Sequence, residues 1–93
     1  MKRLLLPSAA FVRSAKRLAK KRPEAAVDLE RALATLAEDA FLPALRTHKL
    51  KGKLAESWAC SAGYDLRIVF QFVMHEESEA ILLEAAGTHD EVY

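Results

Sequence analysis

The sequence has a single cysteine, Cys60, among its 93 residues. One thiol cannot form an internal disulfide, and it leaves a structural zinc site without a second sulfur ligand. A run of about 18 apolar residues is also lacking, which argues against a membrane-spanning helix. The apolar segment Leu4 to Pro7 is too short for the core of a signal peptide. We therefore expect a cytoplasmic protein that is not bound to a membrane and that folds by packing alone.

Internal repeats, low-complexity tracts and linker-like segments are lacking as well. With 52% hydrophobic residues, a chain of this length can bury one core but not two. The sequence therefore predicts one domain over residues 1–93.

The charges are unevenly distributed although the formal net charge is only +1. Residues from Met1 to Arg22 include bases and no acids, whereas residues from Glu76 to Tyr93 include acids and no Lys or Arg. A surface of one sign attracts ligands of the other sign. This asymmetry indicates contact with nucleic acid or with an acidic partner.

Two amphipathic helices are predicted after a short first strand over Lys2 to Leu6. Pro7 stops the strand, and Ser8 is placed to cap the first helix. Apolar residues recur at helical spacing from Ser8 to Arg22 and again after Pro23, which suits the first turn of a second helix. Because the connection is so short, the helices should form an antiparallel hairpin.

The second half of the chain predicts three strands. A loop without periodicity covers Ala40 to Lys53, and the polar segment His75 to Glu79 predicts a turn. The strands are expected over residues 57–62, 65–73 and 80–86, the last one stopped by Gly87. The order β-α-α-β-β-β predicts an α+β fold, with a curved antiparallel sheet packed on one face by the helices.

Arg67 lies in a strand whose alternate residues Leu66, Ile68, Phe70 and Phe72 are apolar. A guanidinium in such a place needs a partner or a bound anion. It either clamps a phosphate or forms a structural salt bridge with Asp65 or Glu84, and Asp65 should share its face of the strand.

The loop carries three alternating lysines, Lys49, Lys51 and Lys53. If the loop is extended, their ammonium groups line one side and can follow successive phosphates of a nucleic acid. The alternative is an ordinary solvated loop.

Two histidines, His48 and His89, lie beside predicted loops or strand ends. Imidazoles that titrate near neutrality are suited to proton transfer in RNA cleavage, where one removes the 2′-hydroxyl proton and the other protonates the leaving oxygen. His75, in an acidic turn, is expected to be exposed and inert. The aromatic ring of Tyr93 either packs back on the core or stacks on a base.

The segments THKLKG, GYDLRIVF and GTHDEVY, in this order and spacing, resemble the RelE/ParE toxin superfamily, and its YafQ-like branch in particular. The similarity spans nearly the whole chain. It implies a toxin of a type II toxin-antitoxin system that cleaves mRNA on the ribosome by 2′-hydroxyl attack. Such a toxin inhibits translation, needs neither a metal nor a cofactor, and is restrained by a cognate antitoxin.

The resemblance also implies roles by position. His48 and His89 match active-site histidines, Asp65 matches the acidic residue, and Tyr93 matches an aromatic residue near the terminus. Arg67 and the three loop lysines resemble phosphate-binding groups. The chain departs from the pattern over residues 57–63, where YafQ-like toxins have a further histidine and this chain has only Ser, Ala and Cys as candidates.

The basic side of the first helix, which includes Arg13 and Lys16, suits either RNA or an antitoxin. Two further readings of the whole chain stay open. One is a ParE-like inhibitor of DNA gyrase without nuclease activity, against which the histidine pair argues. The other is an inactive family member that only binds.

Overall fold

The computed structural model describes residues 2–93. Helices and strands follow one another in the predicted order, with one additional short strand and one additional short helix. In chain order they are β1 (Leu4–Pro7), α1 (Ala9–Lys21), α2 (Pro23–Glu38), β2 (His48–Lys49), β3 (Trp58–Ser61), β4 (Leu66–His75), β5 (Ser78–Thr88) and α3 (His89–Val92). No helix within residues 2–93 has the length and apolar character needed to cross a membrane.

The helical hairpin forms as predicted. The Ser8 hydroxyl accepts a hydrogen bond of 3.0 Å from the backbone N–H of Phe11 and so caps α1. Only Arg22 separates α1 from α2, which begins at Pro23. The two helices pack on each other along a groove lined by residues of both, among them Phe11 and Leu33, and the one-residue connection makes them antiparallel.

The sheet has five strands in the order β1-β5-β4-β3-β2. The antiparallel meander of β3, β4 and β5 is confirmed. The expectation of a purely antiparallel sheet is wrong, because β1 pairs in parallel with β5. The loop expected over residues 40–53 also contains β2, where His48 pairs with Ala59. Two residues are too few to produce a detectable alternation in the sequence.

The connection between β4 and β5 is tighter than predicted. Only Glu76 and Glu77 form the turn, both with positive φ (49° and 67°), so the rest of the predicted turn belongs to strands. Gly87 does not end β5 but lies inside it. The polar residues near this turn are exposed, so neither face of the strand ends has to be apolar.

The two faces of the sheet differ in chemistry. The helices cover an apolar face whose central side chains are at most 2% exposed, among them Ile68, Phe70, Ile81 and Leu83. Alternate residues point to the other face, which we call the open face; on β4 these include Arg67 and Gln71. A β-bulge places Glu84 as an extra residue of β5 opposite the Val69/Phe70 step.

Beyond its pairing with β1, the free edge of β5 is covered by α1. The Ala86 backbone N–H donates to the Ser14 hydroxyl at 3.0 Å, and the Ser8 N–H donates to the Leu83 carbonyl at 3.0 Å. Backbone groups that a further strand would otherwise pair are therefore satisfied by the helix. This fixes the position of the end of β5, from which α3 begins.

Candidate active site

The candidate site lies on the open face, at the end where β5 passes into α3. In adjacent pairs, Ser61 of β3 lies opposite Arg67 of β4, which lies opposite Gly87 of β5. A Cβ atom added to Gly87 would lie 3.0 Å from Glu91 Oε1 and 3.3 Å from Val92 Cγ1. The missing side chain of Gly87 therefore lets α3 fold closely over the open face beside Arg67.

The Arg67 guanidinium has no carboxylate partner. Its Nη1 donates to the Leu66 carbonyl at 2.9 Å, and no acidic oxygen among residues 2–93 lies within 4.0 Å of it. The structural salt bridge considered from the sequence is therefore not made. Glu84 instead accepts hydrogen bonds from Ser57 Oγ at 2.6 Å and from Gln71 Nε2 at 3.3 Å.

His89 and Tyr93 are held together by α3. Their rings meet edge to face with centroids 4.5 Å apart. Partial burial raises the pKa of the Tyr93 phenol above its usual value of 10.0, and the positive charge of Arg67 acts in the opposite direction. Arg67 is thus near enough to the phenol to act on its pKa. His89 Nδ1 lies 3.7 Å from Asp90 Oδ1, and both side chains are exposed.

The orientation of α3 depends on a hydrogen bond at its start. The Glu91 carboxylate accepts from the backbone N–H of Thr88 at 2.8 Å. This hydrogen bond is the main reason why the pKa of Glu91 is lowered from its usual 4.5, with the charges of Lys21 and Arg17 also contributing. The ionised carboxylate therefore stabilises the backbone turn that carries His89.

His48 lies at the other edge of the same face. Because opposite residues in an antiparallel pair share a face, its pairing with Ala59, itself paired with Val69, places it on the open face. His48 Nδ1 lies 2.9 Å from the Arg46 carbonyl, which can only accept a hydrogen bond. Nδ1 therefore carries the proton, and the lone pair of neutral His48 is on Nε2.

The structure brings the predicted residues together only in part. Arg67, His89 and Tyr93 form one group, and His48 lies across β3 and β4 on the same face. Asp65 lies in the bend before β4, because the strand begins at Leu66 and not at residue 65 as predicted. The alternation that should place Asp65 beside Arg67 thus does not extend to it.

The lysines of the loop do not form one extended line. Lys49 is in β2 opposite Trp58, whose ring packs against the core, so its side chain leaves the sheet on the face opposite to His48. Lys53 lies in a single 3-10 turn, and Gly52 before it has φ +69°. All three lysines are exposed. The backbone is still extended at Lys51 (φ −124°, ψ 169°), and the predicted extended arrangement is wrong only at Lys53.

Arg13 and Lys16 lie on the exposed side of α1. Neither forms an ion pair within residues 2–93. Their side of the helix is distinct from the sheet face that carries Arg67, so they form a separate basic surface.

The segment that lacks the expected histidine contains two residues of interest. Cys60 is fully buried, and burial raises the pKa of its thiol to about 12, so it is not a thiolate at neutral pH. Ser61 lies on the open face beside Arg67. The alternation of Ser57, Ala59 and Ser61 in the sequence is the signal that could have placed Ser61 on this face. The left-handed backbone of Arg46 (φ 51°) has no such signal in the sequence.

Solved toxin structures share this fold. A YoeB/ParE toxin from Agrobacterium tumefaciens matches with a TM-score of 0.75 at 12% sequence identity, over 92% of this chain and 98% of that chain. YafQ from E. coli strain BL21(DE3) matches with a TM-score of 0.74 at 19% identity, over 99% of both chains. A chain of the E. coli DinJ-YafQ toxin-antitoxin complex matches with a TM-score of 0.75 at 19% identity, over 100% of this chain and 99% of that chain. The fold is therefore that of the RelE/ParE-type toxins.

A family model narrows this class. The model described as the bacterial toxin of type II toxin-antitoxin systems, YafQ, matches residues 3–93. The chain therefore belongs to the YafQ toxin family, as its motifs indicated. No curated protein sequence matches the chain.

Proposed function

We propose that this toxin is an endoribonuclease that cleaves mRNA, on the ribosome, without a metal or a cofactor, and so inhibits translation. The observation that carries the proposal is the grouping of Arg67, His89 and Tyr93 at the α3 end of the open face, where no carboxylate of residues 2–93 forms an ion pair with the guanidinium. A cation, an imidazole and an aromatic ring are the groups needed to hold a phosphate, move a proton and position a base.

In the proposed reaction His48 is the base and His89 is the acid. Nε2 of His48 removes the proton from the 2′-hydroxyl, whose oxygen attacks the phosphorus atom. The bond to the 5′ oxygen breaks, and His89 protonates that oxygen. The products are a 2′,3′-cyclic phosphate and a free 5′-hydroxyl. The lone pair on Nε2 of His48 and the exposed position of His89 beside Asp90 support this assignment.

Arg67 stabilises the negative charge that develops on the phosphate oxygens, and the Tyr93 ring stacks on a base next to the cleaved bond. Asp65 belongs to the proposed site by its position in the family motif. The lysines Lys49, Lys51 and Lys53 attract the RNA through long-range charge, since they do not lie in one line. Arg13 and Lys16 form a second contact surface for RNA.

A cognate antitoxin is the proposed protein partner. The solved relatives include the DinJ-YafQ complex of E. coli and the RelBE2 toxin-antitoxin complex of Mycobacterium tuberculosis. An acidic antitoxin segment that covers Arg67 would neutralise the charge needed for cleavage.

Cleavage of a defined mRNA by purified toxin, with and without ribosomes, tests the proposal. The cut ends are mapped and the product is assayed for a cyclic phosphate. His89→Gln should lower the single-turnover rate by about 10²- to 10⁴-fold, because the general acid is lost. His75→Gln is the matched control, since His75 is an exposed histidine near the turn between β4 and β5. Folded wild-type protein that cuts in neither condition would instead favour inhibition of DNA gyrase.

A further inference from the structure

A cavity adjoins the proposed active site. It is a cavity of about 490 Å³ between α2, the 3-10 turn Pro43–Leu45 and the connection from β3 to β4. This volume is within the range of pockets that hold small ligands, roughly 300–1,000 Å³. Three separate elements each contribute an arginine to its lining: Arg31 from α2, Arg46 after the 3-10 turn, and Arg67 from β4.

The cavity carries an excess of positive charge. Among its described lining residues Asp28 is the single acid, and its Oδ1 is 3.9 Å from Arg31 Nη1. Neither Arg46 nor Arg67 forms an ion pair within residues 2–93. Guanidinium groups in this condition have N–H donors available for the oxygens of a phosphate, which they bind in pairs.

An aromatic side chain, that of Tyr64, also lines this cavity. Tyr64 is 100% exposed, so its ring packs against no part of the described chain. Exposed aromatic rings beside basic grooves provide stacking surfaces for unpaired bases. An acidic peptide would pair with the arginines, but a nucleotide pairs with them through its phosphate and also presents a flat base to the exposed ring.

We propose that this cavity binds one nucleotide of the RNA strand, adjacent to the nucleotide held at the cleaved bond. Its base stacks on Tyr64, and its phosphate lies between Arg31 and Arg46. Arg67 lines the cavity and also faces Gly87 and α3, so it connects this subsite with the proposed catalytic group. The inference rests on the proposed function for the identity of the strand as RNA.

Binding of a short fluorescein-labelled 2′-O-methyl RNA tests the subsite separately from cleavage, since this RNA has no free 2′-hydroxyl. Tyr64→Ala should raise Kd by about tenfold, and Tyr64→Phe should restore the affinity because it keeps the ring. Arg31→Ala should reduce the slope of log K against log salt by about 0.7, the value for one lost phosphate contact on a single strand. Lys2→Ala is the control, since Lys2 is an exposed cation at the opposite end of the sheet.

A second readout locates the bound strand. The same RNA with one 4-thiouridine is crosslinked by light, and the modified peptide is identified by mass spectrometry. An adduct on Tyr64 or its immediate neighbours supports the proposal. Unchanged binding by Tyr64→Ala and Arg31→Ala, or no RNA binding by the wild type, overturns it. So does a loss of affinity for the antitoxin without a loss for RNA, since the cavity would then belong to the protein partner.

The two proposals can fail independently. If wild-type toxin binds the RNA through Tyr64 but does not cleave an unmodified mRNA, the proposed subsite is supported and the proposed nuclease activity is refuted. If wild-type toxin cleaves and both Tyr64→Ala and Arg31→Ala bind and cleave normally, the nuclease activity is supported and the subsite is refuted.

Discussion

The two ends of the β4–β5 hairpin use similar residues for different purposes. Each end carries an exposed histidine, His75 near the turn and His89 at the start of α3. Near the turn the cation Arg3 is paired, since its Nη2 lies 2.7 Å from Glu79 Oε1 and its guanidinium lies over the Phe72 ring at 5.3 Å. At the α3 end Arg67 forms no ion pair with any carboxylate of residues 2–93. The surroundings of a histidine, more than its presence, therefore indicate which end can perform chemistry.

Of the changes at the two ends, removing the charge of Arg67 at the α3 end should have the largest effect on the cleavage rate. Arg67→Gln is expected to lower mRNA cleavage by about 10²- to 10³-fold, because a charged donor to the phosphate oxygens is lost. The thermal midpoint should stay nearly unchanged, since no ion pair is broken. Single-turnover rates and thermal melts measure the two quantities. A large loss of stability with unchanged cleavage would reverse the roles given to the two ends.

Adding a methyl group at the α3 end should act through geometry. In Gly87→Ala the new Cβ lies 3.2 Å from Glu91 Cβ and 3.3 Å from Val92 Cγ1, so α3 must shift by a few tenths of an ångström. We expect about a tenfold lower cleavage rate, because His89 and Tyr93 move with the helix. Circular dichroism should show an intact fold. Full activity in this variant would mean that close packing of α3 is not required.

Relieving the backbone strain in the turn between β4 and β5 should change the stability of the fold but not the cleavage rate. Glu77 has φ +67°, a conformation that costs a non-glycine residue about 1 kcal/mol and that two-residue hairpin turns usually assign to glycine. Glu77→Gly should therefore raise the free energy of unfolding by about 1 kcal/mol, measured by urea titration. Cleavage should be the same as in the wild type. A change in activity would connect the turn to the site.

The smallest effect expected is a pH dependence at the α3 end. The folded pKa of Glu91 is below 4.5, so its carboxylate stabilises α3 above that pH, and this contribution is lost as the pH falls through the folded pKa. Hydrogen exchange of the Thr88 amide should be slower in the wild type than in Glu91→Ala at neutral pH. The two proteins should converge in acid. A difference that persists at low pH would exclude the carboxylate as its cause.

Periodicity was enough to predict most of the fold. The helical stripe around Phe11 and the alternation from Leu66 to Phe72 both reflect burial against one core, which selects apolar residues at regular spacing. Strand β2, the parallel pairing of β1 and the bulge at Glu84 were missed. Each depends on contacts between distant segments and leaves no local pattern.

The candidate site was predictable only as a set of residue types. The motifs select Arg67, His89 and Tyr93, which the fold brings together. The alternation also predicts that Asp65 shares the face of Arg67, but the strand begins only at Leu66. The carbonyl that accepts the hydrogen bond from His48 belongs to Arg46, whose left-handed backbone no sequence rule assigns to arginine.

The parallel pairing of β1 with β5 has a consequence for the order of folding. β4 and β5 are neighbours in sequence and can pair across a two-residue turn, whereas Leu4 meets Ala80 only after almost the whole chain has been brought together. Closing so large a loop costs entropy before any contact repays it. We therefore expect the hairpin to form early in folding and β1 to dock late. A substitution of Leu5, which pairs with Ile81, that weakens the packing of β1 should mainly accelerate unfolding and leave the folding rate little changed.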